Sequence, residues 1–148
     1  AGSLIGSSLL GVDMNAEQIR AVPRSVFIQT LAETAVDMES GGNPRARGNK
    51  GERGLMQIMP NTWKRICKKN GWNYSFYKDS SNPIINFKVG SAYIEDIIAL
   101  YEKKIPGWKS LSIDEMASLV GAAYNSGESA PLAARCQYQL GRLYGPGI

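Results

Sequence analysis

The 148-residue sequence predicts an all-α fold. Apolar residues recur at three- and four-residue spacing in several segments, whereas the period-two alternation of a half-buried strand is almost missing. Residues that start and stop helices also fall between those segments at the places a helical reading needs them.

Taken in order, Asn15 and Gln18 can form a capping box that opens a first helix. Pro23 suits the first turn of a second, in which Phe27, Leu31, Ala35 and Met38 make one inward-facing apolar stripe. This helix should end near Ser40, because Gly41, Gly42 and the Asn43-Pro44 pair all disfavour its continuation. The stretch from Arg45 to Arg53 is polar, basic and glycine-containing, and reads as a surface loop leading to the apolar run GLMQIMP.

Pro60 then opens a helix through Trp63, Ile66 and Cys67, closed by Asn70-Gly71. The aromatic-rich stretch from Trp72 to Ser81 is expected to be irregular. Asn82-Pro83 starts a long helix with Val89, Tyr93, Ile97 and Tyr101 on one side, ended by Pro106-Gly107. Ser112 and Glu115 form a second capping box, ahead of Met116, Leu119, Val120 and Ala123, and Gly127 breaks that helix. A last helix is expected from Ala130 to Tyr144.

No internal repeat or linker divides the chain, so one domain over residues 15–148 with a tail over residues 1–14 is the expectation. No apolar run approaches the length needed to span a bilayer. With no histidine, Ser/His/Asp and Cys/His catalysis are excluded and most zinc sites with them, and no metal or cofactor is expected. Cys67 and Cys136 would pair in an oxidising compartment or serve equally well as two buried thiols. The net charge of +4 is ordinary for solubility and also compatible with an anionic partner. Arg45, Arg47, Lys50 and Arg53 lack interleaved aromatics, which reads as a solvated face, so no nucleic-acid partner is expected.

Glu39 stands out chemically because it follows the apolar stripe at the end of a helix. Burial and the negative end of the helix dipole both favour its protonated form, the species that can donate a proton to a leaving glycosidic oxygen. A solvated carboxylate ending a helix is the competing reading.

Four motifs in order, MESGGNPRA, GLMQIMPNTW, NFKVGSAYIEDII and AAYNSGE, resemble the lytic transglycosylase family from about Val22 to Glu128. The resemblance implies a lysozyme-like α domain with a cleft for peptidoglycan glycan strands, at a periplasmic or extracellular address, with a cell-envelope or secretion assembly as a further partner. Glu39 matches the catalytic glutamate of the family's ES pair. Gln57 and Met59 match sugar-subsite positions, and Tyr124 and Asn125 match the tyrosine and asparagine of the AYN motif. Loop satisfaction, core filling and helix-end packing are the structural alternatives for Gln57, Met59 and Tyr124. For Gly54 and Tyr93 packing is the stronger reading. Trp63, Trp72, Tyr74, Phe76 and Tyr77 include possible sugar platforms, with core or rim packing as the default.

The region also resembles goose-type lysozymes, in which an acidic residue stands six positions before the glycine of GLMQ; that position is Gly48 here, and in many lytic transglycosylases it is serine. Glu52, in the same loop, is the weaker candidate for a second carboxylate, since its basic, glycine-rich neighbourhood reads as a solvated side chain paired with arginine at most. Without it, the resemblance implies cleavage without a second carboxylate. Glu39 would first protonate the oxygen between N-acetylmuramic acid and N-acetylglucosamine. It would then accept a proton as the muramic acid 6-hydroxyl closes a 1,6-anhydro ring, with the substrate's N-acetyl group supporting the departing charge. A goose-type hydrolase and a non-catalytic glycan-binding module are the competing functions. The basic loop has charge complementarity to the peptide carboxylates of peptidoglycan.

Overall fold

The computed structural model describes residues 22–125. Within them the chain forms α1 (Arg24–Ser40), α2 (Pro60–Asn70), the single-turn α3 (Phe76–Asp79), α4 (Pro83–Lys104), a 3₁₀ turn (Trp108–Ser110) and α5 (Ile113–Asn125). The extended structure among the described residues consists of isolated bridges, Arg47 with Arg53 and Arg53 with Ile58, inside the loop between α1 and α2. The expected all-α class is therefore observed. The expected helices opening at Asn15 and spanning Ala130 to Tyr144, and the break at Gly127, lie outside the described residues.

The helix boundaries follow the chemistry of their end residues. α1 gives way after Ser40 to Gly41 and Gly42, both at positive φ (59° and 84°), where a side chain would be strained. At the end of α2, Gly71 adopts the left-handed conformation and its N–H reaches the Lys68 carbonyl. The Trp72 N–H meanwhile donates to the Cys67 carbonyl at 2.8 Å, completing a Schellman closure. Asn82 caps α4, its Oδ1 accepting from the N–H groups of Ile84 and Ile85 at 3.0 and 3.1 Å with Pro83 at the first position. Ser112 and Glu115 exchange hydrogen bonds at 3.1 Å each, the capping box expected at the start of α5.

The structure departs from expectation at two places. The stretch from Trp72 to Ser81 contains the helical turn α3 rather than being wholly irregular. Ser75 initiates that turn by accepting from the Lys78 N–H, while the Asp79 carboxylate accepts from the Ser75 N–H. The stripe on α1 is buried at Phe27, Leu31 and Ala35, but Met38 is exposed.

The chain divides into two compact units. Of the described residues, 22–31 and 97–125 belong to one, which buries Phe27, Leu31, Ile97, Ile98, Trp108, Ile113, Ala117 and Val120. Tyr101 and Trp108 pack their rings 5.6 Å apart in that unit, and the Tyr101 hydroxyl donates to the Leu119 carbonyl. The other unit, Ala32–Asp96, is centred on Trp63, Met56, Ile66, Val89 and Ile94, all almost fully buried. Trp63 meets the Phe76 ring edge-on at 5.8 Å and donates its indole N–H to the Tyr74 carbonyl at 3.0 Å. These contacts make Trp63 and Phe76 core residues, as the default reading expected. Among the described residues no helix is long and apolar enough to cross a membrane.

Candidate functional site

Glu39 is the penultimate residue of α1 and is half-buried, the helix-end placement its sequence context predicted. Its neighbour Ser40 secures the helix exit, donating from Oγ to the Val36 carbonyl at 3.0 Å and accepting from the Gly42 N–H at 3.1 Å. Asn43 continues the turn: its N–H donates to the Ser40 carbonyl, and its Oδ1 accepts from the Arg45 N–H at 3.0 Å. Together these bonds fix the backbone on the C-terminal side of Glu39 by local means alone.

The loop that follows is stitched back onto GLMQ. The Ala46 carbonyl accepts from both the Gly54 N–H (2.9 Å) and Gln57 Nε2 (3.0 Å), and Nε2 also donates to the Gly54 carbonyl at 3.0 Å. Two carbonyl partners require the amide nitrogen to face the loop, so Gln57 turns its Oε1 away from these bonds. Gln57 is also the single non-glycine residue with positive φ (50°) among the described residues, strain held by this double anchoring. Loop satisfaction thus accounts for one end of the Gln57 amide. Met59, immediately before α2, is 39% exposed, so core filling does not account for it.

Asn86, in the first turn of α4, is a positioning residue that reading the sequence missed. It is fully buried, and its side chain accepts from the Met56 N–H at 2.9 Å while donating to the carbonyls of Arg53 (3.1 Å) and Ser80 (2.9 Å). A single amide thereby clamps both ends of the Arg53 to Met56 turn. Gly54 sits beneath it at φ 83°, where a Cβ would overlap Asn86 Nδ2 and the Ser80 carbonyl oxygen, so packing is what requires glycine there. Gly90, one turn further along α4, makes room for the Met56 side chain in the same way. The detectable signal was an asparagine placed four residues after a capping asparagine, in an otherwise apolar helix start.

At Gly48 the structure shows what fills the place of the missing side chain. A Cβ on Gly48 would overlap the Glu52 carboxylate, whose Oε1 accepts from the Lys50 N–H at 2.9 Å. Glu52 is half-buried rather than fully solvated, and its partner is a backbone N–H rather than an arginine.

The aromatic candidates separate by exposure and neighbours. Trp72 and Tyr74 lie half-buried with rings 5.8 Å apart, and Lys88 Nζ stands 4.6 Å from the Trp72 ring while bonding the Tyr74 hydroxyl at 3.1 Å. Tyr77 is exposed, with the Arg53 guanidinium 5.0 Å from its ring centre. Tyr93 is half-buried on α4 beside the Arg65 guanidinium. Cys67 is a buried free thiol on α2, its pKa pushed up by burial; Cys136 lies outside the described residues.

Glu39, Gln57 and Met59 therefore belong to the unit Ala32–Asp96, and the Ala46 carbonyl ties the segment after Glu39 to Gln57. Tyr124 and Asn125 end α5 in the other unit; Tyr124 is half-buried, and the Asn125 side chain lies outside the described part.

The transglycosylase SLT domain model matches residues 19–139, most of the chain. The chain belongs to the transglycosylase SLT domain family. Among its relatives, a Haemophilus influenzae protein named as a soluble lytic murein transglycosylase is 29% identical over 99 residues. An endo-type membrane-bound lytic murein transglycosylase A of Klebsiella pneumoniae is 30% identical over 99 residues. Those alignments take in 67% and 66% of this chain but only 15% and 47% of the two relatives, so this SLT domain spans less than half of either. Among solved structures, the 70 kDa soluble lytic transglycosylase of Escherichia coli superposes with a TM-score of 0.54 and 22% identity, over 96% of this chain and 19% of that one. That likeness concerns the fold, and it agrees with the all-α class of the SLT domain.

Proposed function

We propose that this SLT domain cleaves the β-1,4 bond between N-acetylmuramic acid and N-acetylglucosamine in peptidoglycan without adding water, leaving 1,6-anhydromuramic acid ends. The observation that carries the reading is the placement of the ES glutamate, Glu39, half-buried at the end of α1 within a family-matched chain whose relatives are named for murein transglycosylation.

In this reading Glu39, protonated, donates to the glycosidic oxygen as the bond to the anomeric carbon breaks. The substrate N-acetyl oxygen supports the positive charge that develops there. The resulting Glu39 carboxylate takes the proton of the muramic acid 6-hydroxyl as that oxygen closes on the anomeric carbon. Glu39 is thus returned to its starting form, and attack from within the same sugar needs no activated water.

Gln57, held by its Nε2, presents Oε1 as an acceptor toward a sugar hydroxyl or amide, and Met59 offers an exposed apolar surface beside it. Tyr124 and Asn125, which match the family's AYN motif, complete the proposed binding set, with Asn125 orienting an N-acetyl group. The substrate places the activity in the cell envelope, with glycan strands as the partner and a cell-envelope or secretion assembly as the setting.

The test is mass analysis of muropeptides released from purified peptidoglycan. Anhydro-muropeptides are the expected products, and products heavier by one water would establish a hydrolase instead.

A further inference from the structure

The loop after α1 carries charge that the proposed reaction does not use. Arg45, Arg47 and Arg53 line a cavity of ≈ 440 Å³ together with Tyr77, Ser80 and Ser81, all within the unit Ala32–Asp96. Among the described residues none of these three guanidiniums forms an ion pair. The one carboxylate of the loop, Glu52, lies over Gly48 and accepts from the Lys50 N–H.

Like charges gathered in a concavity without a counter-charge repel one another and raise the local potential for an anion. Arg53 is held half-buried against the rings of Phe76 and Tyr77, at 5.4 and 5.0 Å, so its fork loses little freedom on binding. Arg45 and Arg47 are exposed on a loop whose backbone is fixed by the Asn43 and Ala46 hydrogen bonds.

Planar guanidinium forks pair with carboxylates through two parallel hydrogen bonds, and a cavity of this size accommodates a short peptide segment rather than a polymer backbone. An extended basic track with free aromatic faces, as single-stranded nucleic acid requires, is not what these residues make: Arg53 already stands beside the Tyr77 ring.

Resting on the peptidoglycan reading, we propose that this cavity is a binding site for the free carboxylates of the stem peptide attached to muramic acid. The Arg45, Arg47 and Arg53 guanidiniums are the recognising groups. Such a site would select strands that still carry their peptides over stripped ones.

The test measures binding of a synthetic stem tripeptide to the full chain by calorimetry or NMR, beside the same peptide with its carboxylates converted to amides. The unmodified peptide is expected to bind about tenfold or more tightly than the amidated one, the scale of a lost charge-assisted pair. In the double variant Arg45→Ala, Arg47→Ala that preference should disappear; both residues are exposed, and the fold should persist. Equal binding of the two peptides, or an undiminished preference in the variant, would overturn the proposal. So would tighter binding of a short DNA duplex that the same variant abolishes. Cleavage of peptide-free glycan strands, assayed in parallel, reads the proposed reaction separately, since peptide binding requires no turnover.

Discussion

Replacing Asn86 with alanine would take away its hydrogen bonds to the Met56 N–H and the Ser80 carbonyl in a buried place, and leave the Arg53 carbonyl only its bond from the Ile58 N–H. Each such group costs on the order of 1–3 kcal/mol, so Asn86→Ala is expected to lower the unfolding free energy by about 3 kcal/mol, read as a fall in the urea midpoint. A loss under about 1 kcal/mol would show that the clamp does not hold the GLMQ turn. At this scale the sequence was legible where a residue's role is local. Gly71, Asn82 and Ser112 announce helix ends through their own backbone or side-chain chemistry, and each does what its type predicts. Asn86 and Gly54 were harder because two of the three Asn86 partners lie 30 or more residues away, and the need for glycine at 54 depends on a close approach. Glu52 was misread for a related reason: the space it fills exists because residue 48 has no side chain.

Between elements, the described ion pairs differ in what they join. Asp96 on α4 accepts from Arg65 at 2.8 Å and from Lys69, both on α2. Burial alone would raise the Asp96 pKa, but the Lys69 and Arg65 hydrogen bonds and charges outweigh it and hold the carboxyl below its ordinary value. A carboxylate depressed on folding contributes stability that is fully present above its unfolded pKa, about 4, and is lost as pH falls through the lower folded value. The stability gap between the native protein and Asp96→Asn should therefore be constant near neutrality and shrink below about pH 4. A gap independent of pH across that range would remove Asp96 from the account. For α5, Ser112→Ala deletes one half of the capping box and is expected to destabilise by about 1 kcal/mol in the same urea measurement. Helix type and ends were readable because period and caps are local. The turn α3 was not, since a helix of only four residues shows no period and depends on the Ser75 and Asp79 exchange.

For the molecule as a whole, the boundaries of the two compact units fall within α1 and α4, at residues 31/32 and 96/97. Glu39, Gln57 and Met59 of the proposed set lie in the unit Ala32–Asp96. Four ordered motifs made the family legible, and the family match over residues 19–139 bears that assignment out. Individual roles were less legible, because a motif names a residue without saying which of its atoms is already committed, as Gln57 Nε2 is to the Ala46 and Gly54 carbonyls. In the proposed reaction Glu39 is the residue on which turnover depends. The most direct measurement compares the native chain with Glu39→Gln on purified peptidoglycan, following 1,6-anhydro-muropeptides by mass spectrometry and strand binding by co-sedimentation. The account predicts anhydro products from the native chain, a loss of turnover of about a hundredfold or more in the variant, and retained strand binding. Anhydro products formed at an undiminished rate by Glu39→Gln would contradict it.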